Sequence, residues 1–419
     1  SSVGDSEVSR AMAAGAPSPD VAALLAALSA ARPARGLRPP PLLQKRDVRQ
    51  FRAFYGAFID AFGAVARLNT ADSAWGGVAA GEEAWGDMQR VLNLSHKCGA
   101  QVLFETPASR ATYALKRLRT RSGYLAKLLV LAQGGAAGAL RAWLAAGAAD
   151  GVGADEDGAG LGMPLRVVAI GGGPAFDAVG LAALTAFGAA AGWGSEVLGP
   201  LAHGAEVTVC DIQRGWEPLC ADAAAALAVV ARHLGAPAVL VSFELCDVVR
   251  GLGDDANARV PGDFDMALLS FVIMENAYEA RRHNFQFIVD AATGGAAPRA
   301  VVVTDAADGL WAEIIDACNA ASPHIAATTR VRDDGDDAAD GDDADATAGD
   351  DADGGGGAPP GKRQGRGRRA PRNGLPRNVL ALVRQDGTRP GGPETDQPLQ
   401  PPSADFAARN LAYRKSNNV

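Results

Sequence analysis

A run of three glycines, Gly171 to Gly173, follows a short apolar stretch and precedes a segment of helical composition. Glycines between a strand and a helix let the backbone approach a ligand closely, and the first turn of the helix offers N–H groups with no partner inside the helix. The pattern is therefore that of a ligand-binding turn. A tight turn with a purely structural role is the alternative, because this chain has 51 glycines and glycine-rich turns are common.

Acidic residues close two further strand-like runs. Asp211 ends the run that starts at Val207, and Asp247 ends the run that starts at Phe243. A carboxylate after the second strand can accept hydrogen bonds from both ribose hydroxyls of an adenosine. One after the third strand can accept a hydrogen bond from the exocyclic amine of adenine. Each acid taken singly is equally well explained as a helix cap or a solvated loop residue.

A fourth strand-like run opens with Phe264 and Asp265 and continues through Ser270 to Glu275. Because the carboxyl ends of parallel strands meet at one edge of a sheet, we expect Ser270 and Glu275 to lie near the glycine turn. Either residue can orient a reacting group or take a proton from it. The alternative for Glu275 is that it simply begins the following helix.

Taken together, these residues resemble the class I S-adenosylmethionine (SAM)-dependent methyltransferases. More narrowly, Ile170 to Asp177 is similar to the Gly-Gly-Gly-Pro-Gly-x-Asp sequence of poorly characterised eukaryotic methyltransferase-like proteins. The resemblance covers about residues 165–305, extends more weakly to the strands beyond, and leaves the N-terminal helices unassigned. It implies SAM as cofactor and methyl transfer as the reaction.

The resemblance also implies a role for each site residue. It implies that the turn Gly171, Gly172 and Gly173 passes beside the methionine part of SAM, that Asp211 holds the ribose and that Asp247 holds the adenine. Ser270 and Glu275 are then the candidates for orienting or deprotonating the methyl acceptor. No metal is expected.

Two positions depart from the family pattern. Ala169 stands where an acidic residue often binds the SAM amino group, so that group needs another partner, for which Asp177 and backbone carbonyls are candidates. Ala175 stands where the family commonly has glycine after the proline. This second change is mild unless the backbone φ at that position must be positive.

Two other function classes stay open. An NAD(P)-dependent oxidoreductase shares the fold, but the third glycine of its G-x-G-x-x-G fingerprint is Phe176 here, and the distance to Asp211 is about twice the ~20 residues expected. A methyltransferase-like protein that has lost catalysis and serves as a binding or assembly module is the second alternative, because Ala169 and Ala175 allow it. No P-loop or G-x-S-x-G motif is present, and the five histidines show no metal or triad spacing.

The spacing of apolar residues changes along the chain, and this change predicts which strands and helices hold the residues named above. Beyond a Gly/Asp-rich stretch, short apolar runs alternate with segments of helical length, which predicts an α/β, Rossmann-like, doubly wound and mostly parallel sheet with an antiparallel C-terminal hairpin. The predicted strands are 165–170, 205–210, 239–245, 264–271, 299–304, 325–331 and 378–383. The predicted helices between them are 177–191, 217–234 and 277–292.

The N-terminal part is predicted to be an α-helical subdomain. Aromatic residues recur every three or four positions from Phe51 to Phe62, which indicates a helix with a buried stripe. Further helices of this subdomain are predicted over 82–94 and from Thr106-Pro107 onward, where threonine can cap and proline suits the first turn. The flexible arm that precedes the subdomain is expected to hold one alanine-rich helix, over 21–31.

Composition divides the chain of 419 residues into segments. The predicted segments are a flexible arm (1–44), the helical subdomain (45–148), a linker (149–164), the SAM-binding domain (165–332), a disordered acidic then basic insertion (333–376), the final strand (377–386) and a C-terminal tail (387–419).

Charge and cysteine content limit the kinds of partner and the cellular compartment that the sequence predicts. The net charge of −8 gives no global case for nucleic-acid binding, but a basic helix offers Arg117 and Arg119 as a docking site for an anionic acceptor, with a solvated basic face as the alternative. RNA, protein and small molecules all remain open as acceptors. Five scattered cysteines and no apolar run of membrane-spanning length predict a soluble protein in a reducing compartment, the cytoplasm or nucleus, with an organelle-targeting segment as a second interpretation of the N-terminus.

Overall fold

The computed structural model describes residues 18–68, 73–76, 85–86, 104–132, 134–150, 162–273, 275–294, 299–305, 309–322, 325–328 and 379–384. Several predictions fall elsewhere in the chain. The insertion over 333–376, the tail over 387–419 and all but two residues of the helix predicted over 82–94 lie outside the described residues.

Seven strands form a single sheet in the order β3-β2-β1-β4-β5-β7-β6. The strands are β1 (Leu165–Ile170), β2 (Ala205–Asp211), β3 (Val239–Leu245), β4 (Met266–Ser270), β5 (Ala300–Thr304), β6 (Ile325–Thr328) and β7 (Val379–Arg384). The first five strands are parallel, and β7 runs antiparallel to both β5 and β6. The predicted α/β, Rossmann-like sheet with an antiparallel C-terminal hairpin is confirmed.

Eleven helices occur in the described part of the chain, apart from single 3₁₀ turns and the fragment at 85–86. They are α1 (Pro19–Ala30), α2 (Lys45–Leu68), α3 (Pro107–Arg121), α4 (Tyr124–Leu131), α5 (Gly135–Asp150), α6 (Phe176–Ala191), α7 (Ser195–Leu198), α8 (Glu217–Leu234), α9 (Ala277–Arg282), α10 (Gln286–Thr293) and α11 (Trp311–Ala321). None of those described is long and apolar enough to cross a membrane.

The sheet is covered on both faces, because alternate residues of each central strand point to opposite sides. On β1, Val167 and Ala169 belong to one apolar core and Val168 and Ile170 to the other. The first core is completed by α6, α8 and the N-terminal helices, and the second by α9, α10 and α11. Burial on both faces explains why β5, with the sequence Ala-Val-Val-Val-Thr, reads as a continuous apolar run.

The N-terminal helices share the first core with the sheet. The aromatic stripe of α2 is buried as its spacing predicts, and Phe51 and Phe54 pack against Phe187 of α6 at ring-centroid distances of 5.2 Å and 5.6 Å. α2 therefore packs on α6, one of the helices that cover this face of the sheet.

The segment predicted as a flexible arm contains a packed helix in its described part. Ser18 caps α1 by accepting a hydrogen bond from the N–H of Val21, and Leu25 and Leu28 are buried in the first core. The prediction of a flexible arm does not hold from residue 18 onward, because the apolar residues of this alanine-rich helix lie on one face and are covered.

The helix predicted over 277–292 is broken into α9 and α10. Asn284 and Phe285 have left-handed φ values of 50° and 52°, which end α9 and redirect the chain. Phe285 is buried in the second core, so the burial of its ring accompanies the break. Periodicity alone does not show such a break, because the apolar spacing continues through it.

Candidate functional site

The predicted site residues cluster where the order of strands along the chain reverses. β1 lies between β2 and β4, so the connections after β1 and β4 leave the sheet toward opposite faces and open a crevice at its carboxyl edge. The glycine turn after β1 contacts the segment after β4 at this crevice. A Cβ atom added at Gly171 would lie 2.7 Å from Cβ of Val272, so only glycine fits there.

The glycine turn has three residues in the left-handed region. Gly171 and Gly173 have φ values of 61° and 49°, and Ala175 has a φ of 64°. Alanine at this position is therefore strained, by about 1–2 kcal/mol, and is not the mild replacement of glycine that the sequence suggests. Ala175 precedes α6 without a side-chain cap, which leaves the first N–H groups of that helix directed at the crevice.

Asp211, at the end of β2, lies against the glycine turn. Its Oδ1 accepts a hydrogen bond of 2.9 Å from the N–H of Gln213. Burial raises the pKa of the carboxyl group to about 6, and the N–H groups of Gln213, Gly173 and Ile212 partly oppose this rise. The structure thus brings Gly173 and Asp211 together, while the role of Asp211 in holding a ribose stays a prediction.

Asp247 lies two residues beyond β3 on the same edge of the sheet. Its Oδ1 accepts a hydrogen bond of 3.1 Å from the N–H of Val249, and Nε of Arg250 lies 3.9 Å from its Oδ2. The buried side chain of Asn257 holds this loop, because its Nδ2 donates to the carbonyls of Asp247 and Gly251 at 3.0 Å and 2.9 Å. Asn257 is a positioning residue that sequence analysis missed, since a loop asparagine carries no distinctive spacing.

A hydrogen bond joins the side chains of Asp177 and Ser270. Oγ of Ser270 donates to Oδ1 of Asp177 at 3.1 Å, while Oδ2 of Asp177 is buried and has no hydrogen-bond partner in the described residues. Burial raises the pKa of Asp177 to about 6, and Ser270 and Arg121 oppose the rise. Because its hydroxyl group donates a hydrogen bond to Asp177, Ser270 is better suited to positioning that carboxylate than to acting as a base.

Glu275 lies two residues before α9, whose N-cap is Asn276. Its side chain is half-buried, and burial raises the pKa of the carboxyl group to about 7. The charge of Arg121 opposes this rise, while Asp305 and Asp211 add to it. A carboxyl group with a pKa near neutrality can exchange a proton with a bound molecule at ordinary pH.

Aromatic and basic side chains from α3 and α4 complete the site. The guanidinium carbon of Arg121 lies 3.6 Å from the ring centroid of Phe271, and the ring of Tyr124 packs on Phe271 at 5.0 Å. Phe271 itself has a φ of 63°, a strained conformation for a bulky residue. Tyr113 packs on Trp216 at 5.9 Å, beside Asp211.

Several basic residues lie on α3, and sequence analysis did not single out Arg121 among them. A spacing of four could have done so, because Tyr113, Arg117 and Arg121 lie along one face of the helix and Tyr113 is buried. That face is directed at the sheet edge.

The two arginines predicted to dock an anionic acceptor already have contacts within the protein. Arg119 forms an ion pair with Asp60 of α2 at 3.0 Å, and the guanidinium of Arg117 lies 5.1 Å from the ring centroid of Trp85. Docking of an acceptor at Arg117 and Arg119 remains a prediction, and it would have to displace or extend these contacts.

No protein-family profile matches the chain, and no curated protein matches it. Among solved structures, the chain is similar to magnesium protoporphyrin IX methyltransferase from Synechocystis PCC 6803, solved with bound S-adenosylhomocysteine (SAH). The two are 14% identical, the match covers 73% of this chain and 96% of the other, and the TM-score is 0.29.

Proposed function

We propose that this protein is a SAM-dependent methyltransferase that binds its cofactor at the carboxyl edge of β1, β2 and β3. The observation that carries the proposal is the meeting of the glycine turn with the end of β2, where the N–H of Gly171 donates to the carbonyl of Cys210, the residue before Asp211, at 2.8 Å. The turn is also open on one side: a Cβ atom at Gly173 would meet nothing closer than Trp216 at 3.9 Å.

The residues present fit the chemical groups of SAM. Asp211 can accept hydrogen bonds from two ribose hydroxyls, and Asp247 from the adenine amine. The Oδ2 of Asp177, which has no hydrogen-bond partner among the described residues, can accept a hydrogen bond from the ammonium group. Asp177 would then do what an acidic residue at the position of Ala169 does in the family. When bound, SAM supplies a methyl group on a positively charged sulfur, which an acceptor displaces in line.

Glu275 is the candidate base for the acceptor. Its position after β4 and its pKa of about 7 suit a group that takes a proton from the acceptor as the new bond forms. Ser270 acts through Asp177, which it holds in place by its hydrogen bond. RNA, protein and small molecules are all proposed as acceptor classes.

A nicotinamide-dependent oxidoreductase fits this geometry less well. Phe176 occupies the position of the third glycine of that fingerprint, and its buried ring packs on Tyr113 at 5.8 Å. Glycine is needed there for the close approach of helix and strand around a dinucleotide.

A thermal shift measurement with SAM, SAH, NAD and NADP tests the proposal, because a ligand that binds the folded state raises the unfolding temperature. We expect a rise with SAM and SAH and none with NAD or NADP. Incubation with tritiated SAM and fractionated cell extract would then show which class of molecule takes up the label. Stabilisation by NAD or NADP instead of SAM would overturn the proposal.

A further inference from the structure

One buried carboxylate oxygen at the carboxyl edge of the sheet has no hydrogen-bond partner among the described residues. Asp177 is 4% exposed; its Oδ1 accepts a hydrogen bond from Ser270, and its Oδ2 accepts none from a described residue. A buried acceptor that is left unbonded is costly, so such an atom indicates a missing donor. Asp177 lies in the first turn of α6, directly after the glycine turn, and its hydrogen bond to Ser270 places it at the carboxyl end of β4.

A guanidinium group lies at the same end of β4. Arg121 stacks on Phe271, the residue directly after Ser270, and forms no hydrogen bond or ion pair with any described residue. Its positive charge lowers the pKa of both Asp177 and Glu275. Ser270 and Phe271 thus bring Asp177 and Arg121 near each other, yet no nitrogen of Arg121 comes within 4.0 Å of an oxygen of Asp177, so the two opposite charges do not form an ion pair.

The end of α3 is held tightly, so Arg121 is placed in advance. Oγ of Ser122 is 2.8 Å from the hydroxyl of Tyr55, and the backbone of Ser122 touches α6 at Gly180, where an added Cβ would clash with the Ser122 carbonyl. Stacking on Phe271 fixes the plane of the guanidinium and leaves its N–H groups free to bind a carboxylate in two-point fashion.

We propose that Asp177 and Arg121 together bind the amino-acid end of SAM, with Asp177 holding the ammonium group and Arg121 the carboxylate. This inference rests on the proposed function. An α-amino acid carries one positive and one negative group on the same carbon, which is the complement of a carboxylate and a guanidinium that lie near each other without forming an ion pair. The N-terminal helices therefore contribute a cofactor-binding residue, and α3 completes the site.

Calorimetry with two ligands tests this assignment directly. SAH and its decarboxylated analogue differ only in the carboxylate, so their affinities isolate what Arg121 recognises. We expect the intact protein to bind SAH at least tenfold more tightly than the analogue, as for loss of a charge-assisted contact. In Arg121→Met this preference should disappear, because SAH binds more weakly while the analogue binds as before. Arg121→Lys should retain part of the preference.

Lys116→Met is the matched control. It removes one positive charge from the exposed face of the same helix and should keep the preference for SAH. Equal binding of the analogue by Arg121→Met shows that the variant is folded. If Arg121→Met still prefers SAH as the intact protein does, or if both ligands weaken equally, the assignment is wrong while the proposed function stands. If the intact protein binds neither SAM nor SAH, the proposed function itself fails and this inference with it.

Discussion

At the scale of single residues, two residues with strained backbones stand at the crevice: Ala175, before α6, and Phe271, after β4, have φ values of 64° and 63°. The sequence predicts the glycine turn, Asp211 and Asp247 on one sheet edge, and the structure places them there. It cannot give the sign of φ at Ala175 or the partner of Ser270, because both depend on how the segments after β1 and β4 meet. Arg121 was hidden among equivalent basic residues for the same reason.

Ala175→Gly should stabilise the protein. Its φ of 64° strains alanine, and glycine removes about 1–2 kcal/mol of strain at the expense of a more flexible unfolded chain. We expect the free energy of unfolding to rise by about 0.5–1 kcal/mol, measured by urea denaturation. Ala189→Gly, the same change at an exposed position inside α6, should lower it by about 0.5–1 kcal/mol. Destabilisation by Ala175→Gly would show that this φ is not strained.

Glu275 should give methyl transfer its dependence on pH. Its pKa of about 7 means that the carboxylate form, which can take a proton, becomes dominant as the pH rises through 7. We expect kcat/KM to rise over this range in the intact protein and to be low in Glu275→Gln without that rise. An unchanged pH profile in Glu275→Gln would remove Glu275 as the base.

The raised pKa of Glu275 should also make the stability of the fold depend on pH. Because the folded-state pKa of Glu275 is raised above its ordinary value of 4.5, the fold favours the protonated form and loses stability as the pH rises from about 4.5 to 7. Glu275→Gln removes this loss, so the variant should gain stability relative to the intact protein between pH 5 and pH 8. Urea denaturation at the two pH values measures the difference.

At the scale of elements, the sequence predicts boundaries best where proline or glycine marks them. β1, β3 and α8 have the predicted boundaries: β1 lies between Pro164 and Gly171, β3 begins after Pro237, and α8 ends directly before Gly235. The break between α9 and α10 and the packing of α1 escaped prediction. Both are decided by tertiary burial, of Phe285 in one case and Leu28 in the other, which local patterns do not contain.

The contact of α3 with α6 at Gly180 should be intolerant of any side chain. A Cβ atom there would lie 1.9 Å from the carbonyl oxygen of Ser122, so Gly180→Ala must push the end of α3 away from the crevice. We expect a loss of about 1–3 kcal/mol in the free energy of unfolding together with weaker SAH binding. Gly138→Ala, in α5 with no atom within 4 Å of the added group, should instead be neutral or stabilising. A normal SAH affinity in Gly180→Ala would show that the placement of Arg121 does not depend on this contact.

At the scale of the whole molecule, the N-terminal helices and the seven-stranded sheet share one core and one crevice. The sheet supplies the acids and the glycine turn, and α3 supplies Arg121. In the sequence, the N-terminal helices and the sheet are predicted as separate segments. The alanine-rich composition of the helices does not reveal which helix faces pack on the sheet domain.

The segment between β6 and β7 should be dispensable for cofactor binding. Thr328, the last residue of β6, pairs with Ala381 of β7, so a short connection can join the two strands. Residues 333–376 lie outside the described residues, and their acidic and basic blocks predict that they bury no core. Replacing them with a short Gly/Ser linker should leave SAH affinity and thermal stability unchanged. Loss of folding in this variant would show that the segment is structural.

Calorimetry with SAM and SAH tests the claim that the crevice between the glycine turn and Asp211 binds SAM. The intact protein should bind both, and Asp211→Ala should weaken binding by roughly 1.5–3 kcal/mol, about tenfold or more, because a charge-assisted contact to the ribose is lost. Asp263→Ala removes a carboxylate that is 79% exposed and paired with Arg166 near the start of β4, and it should bind SAM as the intact protein does. Absence of SAM binding by the intact protein, or unchanged affinity in Asp211→Ala, would contradict the claim.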